Sequence, residues 1–156
     1  MKFIQTAQDP WRTAEGEDGP KPHPVARDHL LLTLEQWHAV RDTWPANFAV
    51  GVILSNTADV AQIEADLPRL TLIALQFPKW VDGRAYSQAH VLRARHKYSG
   101  EVRATGEVLV DMVVQLARTG FDAAVLAPGQ NEAYAREALA FFPQGHYQRD
   151  AQGASA

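Results

Sequence analysis

Short apolar runs alternating with segments of helical spacing constrain this chain more than any other feature. Residues 48–54 and 70–77 are nearly continuous apolar runs. Their length and composition are those of strands buried on both faces. Each run is followed by turn residues and then by a segment with apolar residues at helical period. Val60, Ile63 and Leu67 mark the first such segment, which stops at Pro68, with Ser55 or Asn56 as its expected cap. Residues 84–98 form the second, with Gly100 as exit signal. Residues 107–118 form the third, with Val110, Val113, Val114 and Ala117 on one side and Gly120 as its stop. Residues 101–105 and 121–126 read as further strands, and Asn131 as the cap of a last helix reaching about Phe142. Upstream, residues 29–32 form a short apolar strand that runs into Thr33. With Gln36 three positions on, Thr33 predicts a capping box. Leu34, Trp37, Arg41 and Trp44 then follow helical spacing until Pro45 ends it.

Strands alternating with helices of this length specify an α/β fold, a mostly parallel sheet built from β-α units with right-handed crossovers. Two closures satisfy the pattern: an open doubly wound sheet, or a partial barrel whose strands curl as in a (β/α) barrel. The open or partly curled form is preferred. The 156 residues are expected to form one domain. Residues 1–28 form an extended N-terminal segment, residues 29–148 a single α/β domain, and residues 149–156 a flexible tail. Within the first segment, residues 1–6 are expected to form a short edge strand. Pro10, Pro20, Pro22 and Pro24, with the intervening glycines and acidic residues, then exclude a regular helix or a central strand.

Composition removes several classes of function. The net charge is −3 and the basic residues are spread along the chain, so no basic field for nucleic acid or an anionic membrane surface is expected. No stretch approaches ~18 consecutive apolar residues, the length of a membrane span, and no cleavable leader is recognisable. A cytoplasmic location is the expectation. The chain has no cysteine, which excludes disulfides, thiolate zinc sites and clusters held by its own thiolates. Its six histidines show no ligand spacing, His90 and His96 being six apart, so no metal is expected. Gly-x-Ser-x-Gly, Gly-x-Gly-x-x-Gly and the phosphate-binding P-loop pattern are all missing.

In parallel α/β sheets ligands gather at the carboxyl ends of the strands. Of the loops there, residues 78–87 carry the most unusual chemistry. Lys79 and Arg84 place cations beside a helix start, where free N–H groups already favour anions. Arg84 is able to grip an oxyanion with two parallel hydrogen bonds. Tyr86 and Ser87 add hydroxyls, and Gly83 allows close backbone approach. Asp82 completes this anion-binding set. The same residues also fit a plain helix cap: Asp82 capping, Gly83 turning, Arg84 pairing with Asp82 or Asp111, and Tyr86 packing in the core. Asp111 interrupts an apolar helix; if buried it requires a partner, and Arg103 and Arg84 are the candidates. Glu107 is expected in the first turn of that helix. Trp11, Trp37, Trp44 and Trp80 are a surplus of large aromatics that also suits a homodimer interface.

The run from Leu72 through Pro78-Lys79, then Asp82-Gly83-Arg84-Ala85-Tyr86-Ser87-Gln88-Ala89 and Leu92-Arg93, resembles domain-of-unknown-function family 934. The resemblance continues through Gly100-Glu101-Val102-Arg103-Ala104, Gly106, Val108-Leu109, Asp111 and Gly120-Phe121-Asp122-Ala123, covering about residues 29–148. Proteins of this kind are often labelled probable oxidoreductases of sulfite reduction, largely because of neighbouring genes. The resemblance therefore implies a role in sulfur assimilation, with sulfite reductase or another sulfate-assimilation enzyme as partner and a small oxyanion as ligand. Side chains alone cannot carry the six electrons of sulfite reduction, and no cofactor motif is legible. The expectation is an accessory protein without a cofactor of its own. A small enzyme acting on an anionic substrate, or a homodimeric interaction module, remains open.

Overall fold

The computed structural model describes residues 1–141. The expected tail at 149–156, the stretch 142–148 and the predicted end of the last helix at Phe142 lie outside the described residues.

The strands are β1 (Lys2–Phe3), β2 (Arg12–Thr13), β3 (Glu15–Gly16), β4 (Gly19–Pro20), β5 (Leu30–Thr33), β6 (Val50–Leu54), β7 (Leu72–Phe77), β8 (Glu101–Gly106) and β9 (Ala123–Ala124). The α-helices are α1 (Leu34–Val40), α2 (Arg84–His90), α3 (Val113–Thr119) and α4 (Glu132–Ala140). Seven strands form one sheet in the order β1-β9-β8-β7-β6-β5-β2, and every pair in it is parallel. From β5 to β9 the order simply follows the chain, with none of the reversal that marks a doubly wound sheet. Of the two closures, the protein adopts the curled one, a half-barrel flanked by helices.

The β-α alternation determines one face. Leu32, Val52, Leu54, Ile73, Leu75, Phe77, Val102 and Ala104 alternate with their strand neighbours and pack with Trp37, Ile63, Ala85, Leu92 and Leu116 from the helical layer. Burying each of the large ones contributes about 1.5–3 kcal/mol before entropy. The opposite face carries a smaller cluster of Leu31, Leu72 and Ala74, with Ile53 and Trp11 against it. Among the described residues no helical one takes part in that cluster. It is covered instead by the N-terminal segment.

Residues 1–28 are not a free arm. They supply both edge strands of the sheet, β1 beside β9 and β2 beside β5, and the small antiparallel pair β3-β4. Residues 4–11 must therefore pass from one edge of the half-barrel to the other. Arg103, only 3% exposed on β8, anchors this strap through an ion pair to Asp9 (2.8 Å) and holds Glu101 by a second (2.8 Å). Lys2 of β1 reaches the same Glu101 at 2.5 Å. Gln36 fastens the next stretch: its Nε2 donates to the carbonyls of Ala14 (3.0 Å) and Lys21 (2.8 Å). The capping box is present as the spacing requires, with Thr33 Oγ1 accepting from Gln36 N and Gln36 Oε1 from Thr33 N.

Several local expectations change: of residues 121–126 only Ala123–Ala124 form a strand, and the first helix gives way after Val40 to a 3₁₀ turn, Arg41–Thr43. The segment after β6 is a 3₁₀ helix, Val60–Arg69, capped by Asp59 rather than by Ser55 or Asn56, and it runs through Pro68. Asp59 Oδ1 accepts from Ala61 N at 2.9 Å. Pro68 has no N–H to donate, so this helix forgoes one bond in its last turn. Beyond α2 the helix widens into a π-helical turn, Val91–Arg95, and leaves through Lys97 in a left-handed conformation (φ 54°), not through Gly100. The third helix starts late, as a 3₁₀ turn Val110–Met112 before α3, because Val108 turns inward and is fully buried. It ends at Gly120 (φ 113°), as expected.

Replacing Arg103 by Met would leave Asp9 without its ion pair and Glu101 with Lys2 alone. Breaking a buried ion pair from one side costs about 3–5 kcal/mol. Urea unfolding of Arg103→Met should show a loss of that order, and a loss below about 1 kcal/mol would mean the strap is held by apolar contact alone.

Candidate functional site

The carboxyl edge of the half-barrel is formed by the loops after β6, β7 and β8, and polar side chains stitch these loops together. Asn56, buried in the first loop, donates from Nδ2 to Asp82 Oδ2 at 2.7 Å. Glu107, in the third, accepts the Trp80 backbone N–H on Oε2 at 2.8 Å. Gln88 of α2 donates twice from Nε2, to the carbonyls of Ser55 (2.8 Å) and Ala58 (2.9 Å). Its Oε1 is buried without a partner among the described residues. Gly106 makes the close approach of the third loop possible: at φ 97°, an added Cβ would run into the Phe77 backbone. Glu107 N then donates to Phe77 O at 2.7 Å.

Within residues 78–87 the two expected uses of Asp82 and Arg84 resolve toward each other. Asp82 Oδ1 accepts from Arg84 N at 3.1 Å, closing the first turn of α2. Its two oxygens also accept from Arg84 Nε (3.1 and 3.2 Å) and Nη2 (2.7 Å). The guanidinium fork is thus occupied by a carboxylate of its own loop, although the Arg84 side chain is 60% exposed. Gly83 is the residue before the helix, exposed, with backbone at φ −88°. Tyr86 is half-buried, its ring edge-on to Phe77 (5.1 Å between centroids) and Phe121 (6.4 Å), and burial pushes its hydroxyl pKa up. Ser87 and Lys79 are exposed.

The supporting residues are placed elsewhere. Arg103 lies in the strap network, and Asp111 is exposed at the start of the third helical segment. Neither Arg103 nor Arg84 pairs with Asp111, and a solvated carboxylate requires no partner. Glu107 precedes the helix instead of occupying its first turn; it serves the Trp80 amide. Sequence reasoning missed Asn56 and Gln88 as the links between loops, and it missed the exposure of the loop's apolar tip. Trp80 is 51% and Val81 67% exposed, whereas Trp37 and Trp44 are buried. The signal was present in the pair Trp80-Val81 between Lys79 and Asp82, a position where a tight turn has no core to face. Among the described residues no three His, Asp or Glu side chains gather closely enough to hold a metal ion, and no helix is long and apolar enough to cross a membrane.

A family model for bacterial proteins of unknown function, domain-of-unknown-function family 934, matches residues 51–156. The chain belongs to that family. The matched region opens inside β6 and contains the whole stitched edge, while β1 to β5 and α1 precede it. No curated protein matches the chain.

The charges of the edge determine what it is able to do. Asp82 and Arg84 neutralise each other, as do, in sum, Lys79 and Glu107. Hydrogen bonds from the Arg84 side chain and then its backbone, with a smaller contribution from Asn56, draw the Asp82 pKa from 3.8 down to about 2. A carboxyl that acidic holds no proton near neutrality and is a poor general base. Because the folded pKa lies below the unfolded one, Asp82 contributes stability that is complete above about pH 4 and is lost as the pH falls from 3.8 through 2. Asp82→Asn should therefore flatten the acid limb of stability between those values while leaving the pH 5–8 region parallel to the natural protein. Urea midpoints measured across the range decide it; superimposable acid limbs would show that the pair contributes nothing.

Proposed function

We propose that the protein is a non-catalytic accessory component of assimilatory sulfite reduction, binding an enzyme of that pathway through the loop of residues 78–87. One observation carries the binding part of this reading: Trp80 and Val81 stand exposed at the tip of a loop fastened at both ends. A large aromatic held rigid before its partner arrives loses little entropy on docking, and tryptophan is among the residues that dominate interface energetics. The flanking Lys79 and Arg84 provide a polar rim. The pathway part rests on the label carried by the proteins this chain resembles. A small oxyanion is the alternative ligand at the same loop, recruited by Lys79 and Ser87. It requires Arg84 to exchange Asp82 for the anion.

Sedimentation and calorimetry of the protein with the cognate sulfite reductase should show a complex. Trp80→Ala should weaken it roughly thirtyfold, the equivalent of ~2 kcal/mol, with the unfolding midpoint unchanged. Absence of a complex at about 100 μM, or an unaffected complex in Trp80→Ala, would overturn the reading. A concentration-dependent dimer abolished by Trp80→Ala would identify a second copy of the chain as the occupant instead.

A further inference from the structure

At the opposite, amino edge of the sheet, the structure holds a cavity of about 520 Å³ lined by Glu64, Leu67, Pro68, Arg95, His96, Lys97, Tyr98 and Ser99. We propose that this cavity is a binding site for a small organic oxyanion, a phosphate or sulfate ester whose charge meets Arg95 and Lys97. The apolar body of that ligand lies along Leu67, Pro68 and the Tyr98 ring. This site is independent of the loop at residues 78–87.

The first argument is unspent charge. Arg95 and Lys97 are exposed and have no carboxylate within ion-pair distance among the described residues, unlike Arg84, Arg93 and Arg103. The nearest acid to the group is Glu64, 3.6 Å from His96 Nδ1 and itself 64% exposed. The His96 side chain is only 9% exposed, so its imidazole belongs to the cavity wall.

The second argument is the backbone. Lys97 sits at φ 54°, where a residue with a side chain is strained and glycine is the usual occupant of a helix exit. A glycine at this position would form the same turn with less strain. A lysine is held there instead, and it lines the cavity together with Arg95.

The third argument is rigidity. Arg93 donates from Nη1 to the carbonyls of Tyr98 (2.8 Å) and Gly100 (2.7 Å) and from Nε to Gly120 O (2.9 Å). Tyr98 Oη donates to Leu70 O at 2.8 Å, and the amides of His96 and Tyr98 return to Val91 O and Leu92 O. The wall is therefore formed before any ligand arrives, which lowers the cost of binding.

Two effects oppose an anion here. A helix C-terminus carries roughly half a negative charge, and the carboxyl edge is the usual ligand edge of such sheets. The first is smaller than the two full positive charges, and two of the carbonyls concerned are already hydrogen-bonded. The second is a statement about where loops are long. Here the π-helical turn Val91–Arg95 and the residues after it provide a comparable enclosure on the other side.

The test uses phenyl phosphate as probe, followed by amide chemical shifts of the full chain. Saturable shifts should be confined to residues 64–68 and 95–99, with inorganic phosphate binding more weakly than the ester. Arg95→Gln and Lys97→Gly should each weaken the ester roughly tenfold, the loss expected for one charge-assisted contact. Lys97→Gly should do so while unfolding at the same or a higher temperature, because it relieves the turn. Shifts that do not saturate, shifts centred on residues 79–87, equal affinity for inorganic phosphate, or unchanged affinity in both variants would each overturn the site. Since the two sites lie at opposite edges, a lost enzyme complex in Trp80→Ala and a lost ester site in Lys97→Gly fail or succeed separately.

Discussion

A parallel sheet that curls half-way round leaves two problems, an uncovered concave face and two unpaired edges, and the buried guanidinium of Arg103 is where this protein resolves both. The sheet's convex layer buries itself against helices by ordinary βα packing. The concave side has only Leu31, Ile53, Leu72 and Ala74 to offer, too small a cluster to hold a cover by apolar contact. Arg103 rises from β8 on that side and pairs with Asp9 in the strap. The same charge holds Glu101, and Glu101 in turn holds Lys2 of the edge strand β1. An ion network is an expensive way to fill space, since each charge must be desolvated. Its return is geometric: it allows one register of the strap, so both two-residue edge strands, short enough to resist pairing with other chains, are held at the correct ends of the sheet.

The fixed register at one side of the sheet permits economy at the other. Because parallel pairing aligns Leu54 with Leu75 and Phe77 with Gly106, the three loops leave the sheet within reach of one another. Asn56 and Glu107 join them with one hydrogen bond each, and the Asp82–Arg84 pair closes the start of α2. Of the two cations that suggested an anion site in the sequence, Arg84 is taken up by this construction and Lys79 is exposed. Left over at the surface is the apolar tip, Trp80 and Val81. Electrostatics builds the loop, and the hydrophobic side chains it presents are what a partner would meet.

How much of this was legible follows from the range of the interactions concerned. Thr33 and Gln36 were readable because a capping box is a contact across three residues, and Gly120 because a helix exit needs one backbone conformation. The parallel sheet was readable because its strands are apolar on both faces. The curl was not: it depends on which strand follows which across the sheet, and no local pattern encodes strand order. Asp111 drew notice by interrupting valines, yet the helix begins later than its periodicity implies and leaves Asp111 in water. Arg103 drew the right notice for the wrong partner, because Asp9 is 94 residues away in sequence. Asn56 and Gln88 were invisible as links for the same reason.

The two edges of the sheet spend charge in opposite ways, and the difference bears on where binding resides. At the carboxyl edge Asp82 and Glu107 each have a basic or amide partner that shapes a loop, so removing either charge should alter architecture first. At the amino edge Arg93 gathers three carbonyls and Tyr98 a fourth, while Arg95 and Lys97, two and four positions beyond Arg93, take no part in this among the described residues. A π-helical turn shifts side chains by about one position relative to an α-helix, since each bond spans one residue more. Arg95 and Lys97, which pair with no carboxylate among the described residues, both line the cavity at this edge. The widened turn and the left-handed lysine that follows it thus both contribute to the lining of the cavity, together with Glu64, Leu67 and Pro68 from earlier in the chain.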